Sequence, residues 1–223
     1  MIIGNGMISN IFKDNFINNE VIIFASGVSN SKEKRDEAFS RETTLIYEVI
    51  QKYPDKIFIY FSTCSIHNSI KTKYIEHKFN IENIIINSCN KYLILRLPIV
   101  LGRYQNKNQL IGYLFEKNIN GEMLDIYKNA NRYLIDSNDL PSILKLLLDK
   151  GILNDIIDIA FNNSIMIDDL LKLIEKITNK PFLKNYTNIE SPYFVENYKF
   201  LTIIKDSNIF NTNIESMILK YYK

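Results

Sequence analysis

Short apolar segments alternate with amphipathic helical patterns through the first hundred residues, and this alternation constrains the fold more than any other feature. The apolar segments are residues 2–3, 21–25, 57–61 and 92–97. The segments between them repeat apolar residues at helical spacing, as in residues 37–53 and 73–89. Strands joined by helices run parallel, and a parallel sheet is covered on both faces. The sequence therefore predicts an α/β fold built on a parallel sheet.

The second half of the chain has the same character but less regularity. Helical patterns occupy residues 109–118, 140–149 and 167–178, and residues 214–222 are amphipathic. We expect residues 1–103 to form the core and residues 104–223 a mixed, substrate-binding region. Within that region, residues 140–160 should return one helix and one strand to the core sheet.

Composition excludes several classes of function. The 223 residues include 27 basic and 25 acidic side chains, which give a formal charge of +2 without a basic stripe, so nucleic acid is not an expected partner. Two cysteines without metal-ligand spacing predict neither a disulfide framework nor a metal site. No apolar run approaches the ~20 residues of a membrane span, and no basic leader is present. We expect a cytoplasmic protein without a membrane partner.

Tyr74 and Lys78 form the main catalytic candidate. Their spacing of four places both side chains on one face of a helix, where an ammonium group can favour the ionised form of a phenol. Thr63, at the end of the preceding strand, would add the second hydrogen bond that a carbonyl or alcohol substrate needs. We therefore predict that Thr63, Tyr74 and Lys78 are catalytic.

A glycine turn follows the first apolar segment. Gly4 and Gly6 separate residues 2–3 from a helical pattern that begins at Met7. Free backbone N–H groups at such a helix start attract phosphate, although the same glycines also suit an ordinary tight connection.

Several segments in this order resemble the extended short-chain dehydrogenase/reductase superfamily, in particular its NAD-dependent sugar-nucleotide epimerases, dehydratases and reductases. The resemblance covers roughly residues 1–180. It is carried by the glycine turn, Phe24-Ala25-Ser26-Gly27, Phe61-Ser62-Thr63-Cys64-Ser65, Tyr74 with Lys78, residues 95–102 and residues 131–140.

The resemblance implies a Rossmann-like sheet that binds NAD or NADP, with the choice between the two left open. The cofactor-binding positions it implies are Gly4, Gly6, Met7, Ile8, Ala25, Ser26, Gly27, Lys78 and Pro98. The substrate-binding positions are Thr63, Ile99 and Arg132, and Arg132 would hold the diphosphate of a nucleotide sugar.

The chain departs from this family in its cofactor half. Only fourteen residues separate Ser9 from Phe24, so about two strands are missing, together with the acidic residue that normally binds the adenosine ribose. Asp14 and Glu20 lie nearby, but neither follows a second strand. The first strand should then lie at a sheet edge, which we expect a second copy in a homodimer, or the region after Lys180, to cover.

The function implied is an NAD(P)-dependent reductase or epimerase of a keto-sugar nucleotide in polysaccharide or glycan biosynthesis. Dehydration ranks lower, because Cys64 stands where relatives often place an acidic residue beside the threonine. One alternative is a degenerate relative that binds a nucleotide or sugar without redox turnover. Another is a dinucleotide sensor.

Overall fold

The fold is known from a computed structural model that describes residues 1–103, 109–191, 193–209 and 213–222. The described residues form ten strands. They are Ile2–Ile3 (β1), Val21–Phe24 (β2), Ile57–Thr63 (β3), Tyr92–Leu97 (β4), Ile99–Leu101 (β5), Leu124–Lys128 (β6), Asn131–Asp136 (β7), Asp155–Asp158 (β8), Ser164–Met166 (β9) and Lys184–Glu190 (β10).

Eight α-helices connect and cover these strands. They are Met7–Asn15 (α1), Asp36–Lys52 (α2), Lys73–Ser88 (α3), Leu110–Asn120 (α4), Leu140–Asp149 (α5), Ile167–Thr178 (α6), Tyr198–Ile204 (α7) and Ile214–Tyr222 (α8).

The main sheet has the order β1-β2-β3-β4-β8, and all its strands are parallel. Alternate side chains of each strand enter different cores. Ile22 and Phe24 of β2 pack with α2 and α3 on one face. Val21 and Ile23 pack with α1, α5 and α7 on the other. The predicted parallel sheet with helices on both faces is confirmed.

The second half of the chain builds a smaller lobe. β5 pairs with β7, which also pairs with β9, while β6 pairs with β10. Helices α4, α6 and α8 pack with these strands around a separate core. β8 and α5 instead join the main sheet. The domain boundary predicted after residue 103 falls at residues 104–108, which lie outside the described residues.

The sheet begins at β1. In the doubly wound order 3-2-1-4-5-6, two further strands lie beyond the first, whereas within the described residues β1 has a neighbour only on the β2 side. Among the described C-terminal segments, β10 pairs with β6, α7 packs on β8 and α8 lies against β5. The cover expected for the β1 edge, by a second copy or by the region after Lys180, stays a prediction.

Candidate functional site

A single cleft of about 1400 Å³ lies at the carboxyl ends of the main-sheet strands and extends to the smaller lobe. It is larger than the usual 300–1,000 Å³ of a small-molecule pocket. Every site position predicted from the sequence contributes to its lining. These positions are Gly4, Gly6, Met7, Ile8, Ala25, Ser26, Gly27, Thr63, Tyr74, Lys78, Pro98, Ile99 and Arg132.

The charge of this cleft is one-sided. Its described lining includes four cationic side chains, Lys32, Arg41, Lys78 and Arg132, and no Asp or Glu. The chain as a whole carries nearly equal numbers of acids and bases. Lys78 is paired with the buried carboxylate of Glu42, so the excess positive charge comes from Lys32, Arg41 and Arg132. Positive charge in a concave surface raises the local concentration of anions, so the cleft suits an anionic ligand.

The glycine turn shapes one end of the cleft. Gly4 has φ +128°, and a Cβ there would lie 2.3 Å from the backbone oxygen of Ala25. At Gly6 a Cβ would meet nothing within 4 Å, and α1 starts here without a side-chain cap or an acid in its first turn. Ser9 fits in place of a third glycine, since it is fully buried and its hydroxyl donates to the Gly6 oxygen at 3.1 Å. The α1 start therefore offers backbone N–H groups to an anion.

The loop after β2 forms the adjoining wall. Arg41, from α2, donates to the Ser26 backbone oxygen at 3.0 Å and to its hydroxyl at 3.3 Å. At Gly27 a Cβ would lie only 2.7 Å from Lys78 Nζ and 2.7 Å from a Glu42 oxygen. Because glycine has no Cβ, Gly27 leaves space for the charged side chains of Lys78 and Glu42 behind the loop. Neither Asp14 nor Glu20 lines the cleft.

Tyr74 and Thr63 both lie buried in the cleft wall. Burial first, and then the Glu42 carboxylate, hold the pKa of Tyr74 well above its ordinary value, and the Thr63 side chain opposes this rise. The Thr63 oxygen accepts from the Ser65 backbone N–H at 3.1 Å, which fixes it at the end of β3.

The hydrogen bonds donated by Lys78 join it to Glu42 and Tyr60. Its ammonium donates to Glu42 Oε1 at 3.0 Å and to the Tyr60 hydroxyl at 2.8 Å, and it lies 5.8 Å from the centroid of the Tyr74 ring. In this arrangement the predicted support of Lys78 for an ionised Tyr74 stays a prediction. The Lys78 ammonium is paired instead with a buried carboxylate that was not among the predicted site residues.

Glu42 is that carboxylate. It is fully buried and accepts from Tyr60 at 2.7 Å, from the Val28 backbone N–H at 2.6 Å and from His77 Nε2 at 3.0 Å, in addition to Lys78. Burial by itself raises the pKa of Glu42, but the Lys78 ammonium and these hydrogen bonds hold it well below its ordinary value. A signal was present in the sequence, since Glu42 interrupts the apolar stripe of α2 between Phe39 and Ile46.

Arg132 lies on β7, in the part of the cleft formed by the smaller lobe. Its guanidinium donates to the backbone oxygen of Asn131 at 2.6 Å, and no ion pair between described residues includes it. Burial lowers the pKa of Arg132. A half-buried guanidinium in this state has unused donors for an anionic ligand.

The described residues also bear on metal binding and on membrane insertion. Within them, no cluster of three or more His, Cys, Asp or Glu side chains could hold a metal ion. None of the helices that the structure describes is both long and apolar enough to cross a membrane.

No protein-family model matches the chain, and no curated protein matches its sequence. Solved structures do match its fold. UDP-glucuronic acid 4-epimerase from Bacillus cereus in complex with NAD gives a TM-score of 0.72 at 19% identity, covering 98% of this chain and 76% of that one. dTDP-glucose 4,6-dehydratase from Bacillus anthracis in complex with NAD gives 0.68 at 16% identity, covering 96% and 77%.

A third match is UDP-glucose 4-epimerase from Thermus thermophilus in complex with NAD, with a TM-score of 0.66 at 13% identity and coverage of 95% and 78%. All three are NAD-dependent enzymes of sugar nucleotides. The predicted fold is confirmed by these matches, and the shorter chain agrees with the sheet that begins at β1. The protein therefore has, in shortened form, the Rossmann-like fold of the extended short-chain dehydrogenase/reductases that act on sugar nucleotides.

Proposed function

We propose that the protein is an NAD(P)-dependent oxidoreductase, a reductase or an epimerase, that acts on a keto-sugar nucleotide and so supplies activated sugars for glycan assembly. The observation that carries this proposal is the cleft itself. It joins a helix start that can bind phosphate, the buried side chains of Tyr74 and Thr63, and Arg132, which has no ion pair with another described residue, and its described lining has no acid. The solved structures of the same fold, which hold NAD and in some cases UDP-sugars, support the same ligands here.

The residues fit one half of a dinucleotide better than the other. The α1 start, Gly4 and the loop at Ser26 suit a pyrophosphate. The wall that would hold the adenosine ribose is missing from the described sheet. A bound reduced nicotinamide would supply a hydride to the carbonyl carbon of the sugar.

The roles of the side chains follow from their positions. Thr63 would hold the carbonyl oxygen of the substrate by a hydrogen bond. Tyr74 would donate its phenolic proton to the same oxygen, so that the carbonyl becomes an alcohol. Arg132 would bind the diphosphate of the nucleotide sugar from the opposite wall.

The direct test is a fluorescence titration with NADH and NADPH, in which the absence of tryptophan keeps the protein's own signal low. Turnover of keto-sugar nucleotides is then followed by the absorbance of the reduced cofactor. We expect binding of at least one cofactor and its oxidation by a keto-sugar linked to UDP or dTDP. Cofactor binding without turnover of any keto-sugar nucleotide would contradict the proposed reaction.

The shortened cofactor half favours a second candidate, a protein that binds a nucleotide sugar without redox chemistry. It predicts no binding of NADH or NADPH up to millimolar concentration, with binding of UDP-sugars retained. Calorimetric titration with both ligand classes separates the two candidates.

A further inference from the structure

Glu42 lies at the meeting point of four chain segments. It extends from α2 and accepts from Tyr60 on β3, from His77 and Lys78 on α3, and from the backbone of the loop after β2. A buried carboxylate is costly unless it is paired and fully hydrogen-bonded. Here each oxygen has two donors, so the charge is retained inside the protein.

The negative charge of Glu42 affects the ionisation of Tyr74. The charged groups that face the Tyr74 ring and hydroxyl are Lys78, on its own helix, and Glu42, on α2. The polar neighbour from β3 is Thr63, and the loop after β2 contributes the apolar side chain of Val28. His77 faces Glu42 rather than the cleft, and the Tyr60 hydroxyl stays protonated, because burial and Glu42 raise its pKa well above the ordinary value.

Two effects of Glu42 act in the same direction. Its carboxylate neutralises the Lys78 ammonium at 3.0 Å, which removes the cation that would stabilise a phenolate. Its own negative charge also lies near Tyr74 and disfavours a second anion there. Both effects favour the neutral phenol.

We propose that Glu42 is a positioning residue that fixes Lys78 and keeps Tyr74 as a proton donor, so that the site is set for carbonyl reduction. This inference rests on the proposed function and deepens it by naming the direction. In that reaction, the C4–H bond of a reduced nicotinamide would break and its hydride would form a C–H bond at the carbonyl carbon, while the carbonyl π pair takes the Tyr74 proton. The products would be an alcohol, an oxidised nicotinamide and a phenolate, which takes a proton back from the solvent. An epimerase must first remove a proton from an alcohol, for which a neutral phenol is poorly suited.

The test measures the phenol directly and needs neither cofactor nor substrate. The protein is labelled with ¹³C at tyrosine Cζ, and the Tyr74 resonance is assigned by its loss in Tyr74→Phe. In the unmodified protein we expect this resonance to stay in its protonated position beyond the pH at which exposed tyrosines titrate. In Glu42→Gln, which keeps the shape but removes the charge, we expect the titration to move to lower pH.

Glu82→Gln is the matched control. Glu82 is also a buried carboxylate, but it lies on α3 and pairs with Arg96 at 2.6 Å, outside the cleft. We expect Glu82→Gln to reduce the melting temperature and to leave the Tyr74 titration in place. Glu42→Asp, which keeps the charge, should restore part of the unmodified behaviour.

Several results would overturn the inference. One is a Tyr74 titration at or below that of the exposed tyrosines in the unmodified protein, which decides the matter even if Glu42→Gln does not fold. Others are an unchanged titration in folded Glu42→Gln, or equal shifts in Glu42→Gln and Glu82→Gln. The proposed function fails separately, through the absence of cofactor binding or turnover.

Discussion

The Tyr74 hydroxyl is the group on which the proposed chemistry depends. It is buried beside Thr63 in the cleft wall, and its pKa is raised by burial and by Glu42. A phenol in this state is protonated through the neutral pH range. It can give up a proton to a developing alkoxide, whereas it is a poor base at the same pH.

We expect Tyr74→Phe to lose turnover by about a hundredfold or more while it keeps ligand binding, because the ring remains and only the proton is removed. The measurement is kcat for oxidation of the reduced cofactor by a keto-sugar nucleotide, with Kd from fluorescence titration. Tyr47→Phe is the control, since Tyr47 is partly exposed on α2 outside the cleft. Equal kcat in Tyr74→Phe and the unmodified protein would remove Tyr74 from the mechanism.

Site residues that follow a short spacing along the chain could be predicted from the sequence. Site residues that are defined by tertiary packing could not. Thr63, Tyr74 and Lys78 were found from spacing, and the structure brings them into one cleft. Glu42 was missed because its partners lie 14 to 36 residues away in the chain and come from three segments. Burial and Glu42 both raise the pKa of Tyr74, and neither effect can be read from the spacing of Tyr74 and Lys78.

At the scale of secondary-structure elements, the spacing of apolar residues predicted the strands of the main sheet and the helices that cover it. The expected strands and helices of the main sheet appear within a few residues of their predicted bounds. The short strands β5, β6, β7 and β9 were not predicted. They are three to six residues long, and they are stabilised by pairing with distant segments rather than by a local pattern.

The turn between β1 and α1 gives a prediction at this scale. Gly4→Ala should lower the melting temperature by several degrees, since the new Cβ meets the Ala25 backbone and the positive φ is strained. Gly6→Ala should melt like the unmodified protein, because the space around Gly6 is open. It should nevertheless weaken NAD(P)H binding, since a methyl group there prevents close approach of the pyrophosphate.

Thermal melts and cofactor titrations of both variants check this pair. A Gly6→Ala protein that binds NADH as tightly as the unmodified chain would show that the turn is an ordinary connection. That reading was left open by the sequence.

At the scale of the whole molecule, the cleft combines two parts of the chain with separate cores. The main sheet supplies the glycine turn, Thr63 and Tyr74, and the smaller lobe supplies Arg132 on β7. This division predicts that substitutions can weaken the binding of NAD(P)H and the binding of the nucleotide sugar independently.

We expect Arg132→Gln to raise the KM for the nucleotide sugar about tenfold or more and to leave the Kd for NAD(P)H nearly unchanged, because a charge-assisted contact to the diphosphate is lost. Arg132→Lys should recover only part of the loss, since lysine lacks the planar fork. Arg35→Gln is the control, as Arg35 is exposed, pairs with Glu33 and lies outside the cleft. A parallel loss of NAD(P)H affinity in Arg132→Gln would place Arg132 on the cofactor instead.

The early end of the main sheet at β1 also affects how tightly each part of a dinucleotide is held. With no described strand beyond β1, a bound dinucleotide would have contacts for its nicotinamide, the adjoining ribose and the pyrophosphate, but few for its adenosine. Most of the binding free energy should then come from the nicotinamide end. Reduced nicotinamide mononucleotide, which lacks the adenosine entirely, should compete with NADH far better here than in enzymes that have a complete sheet.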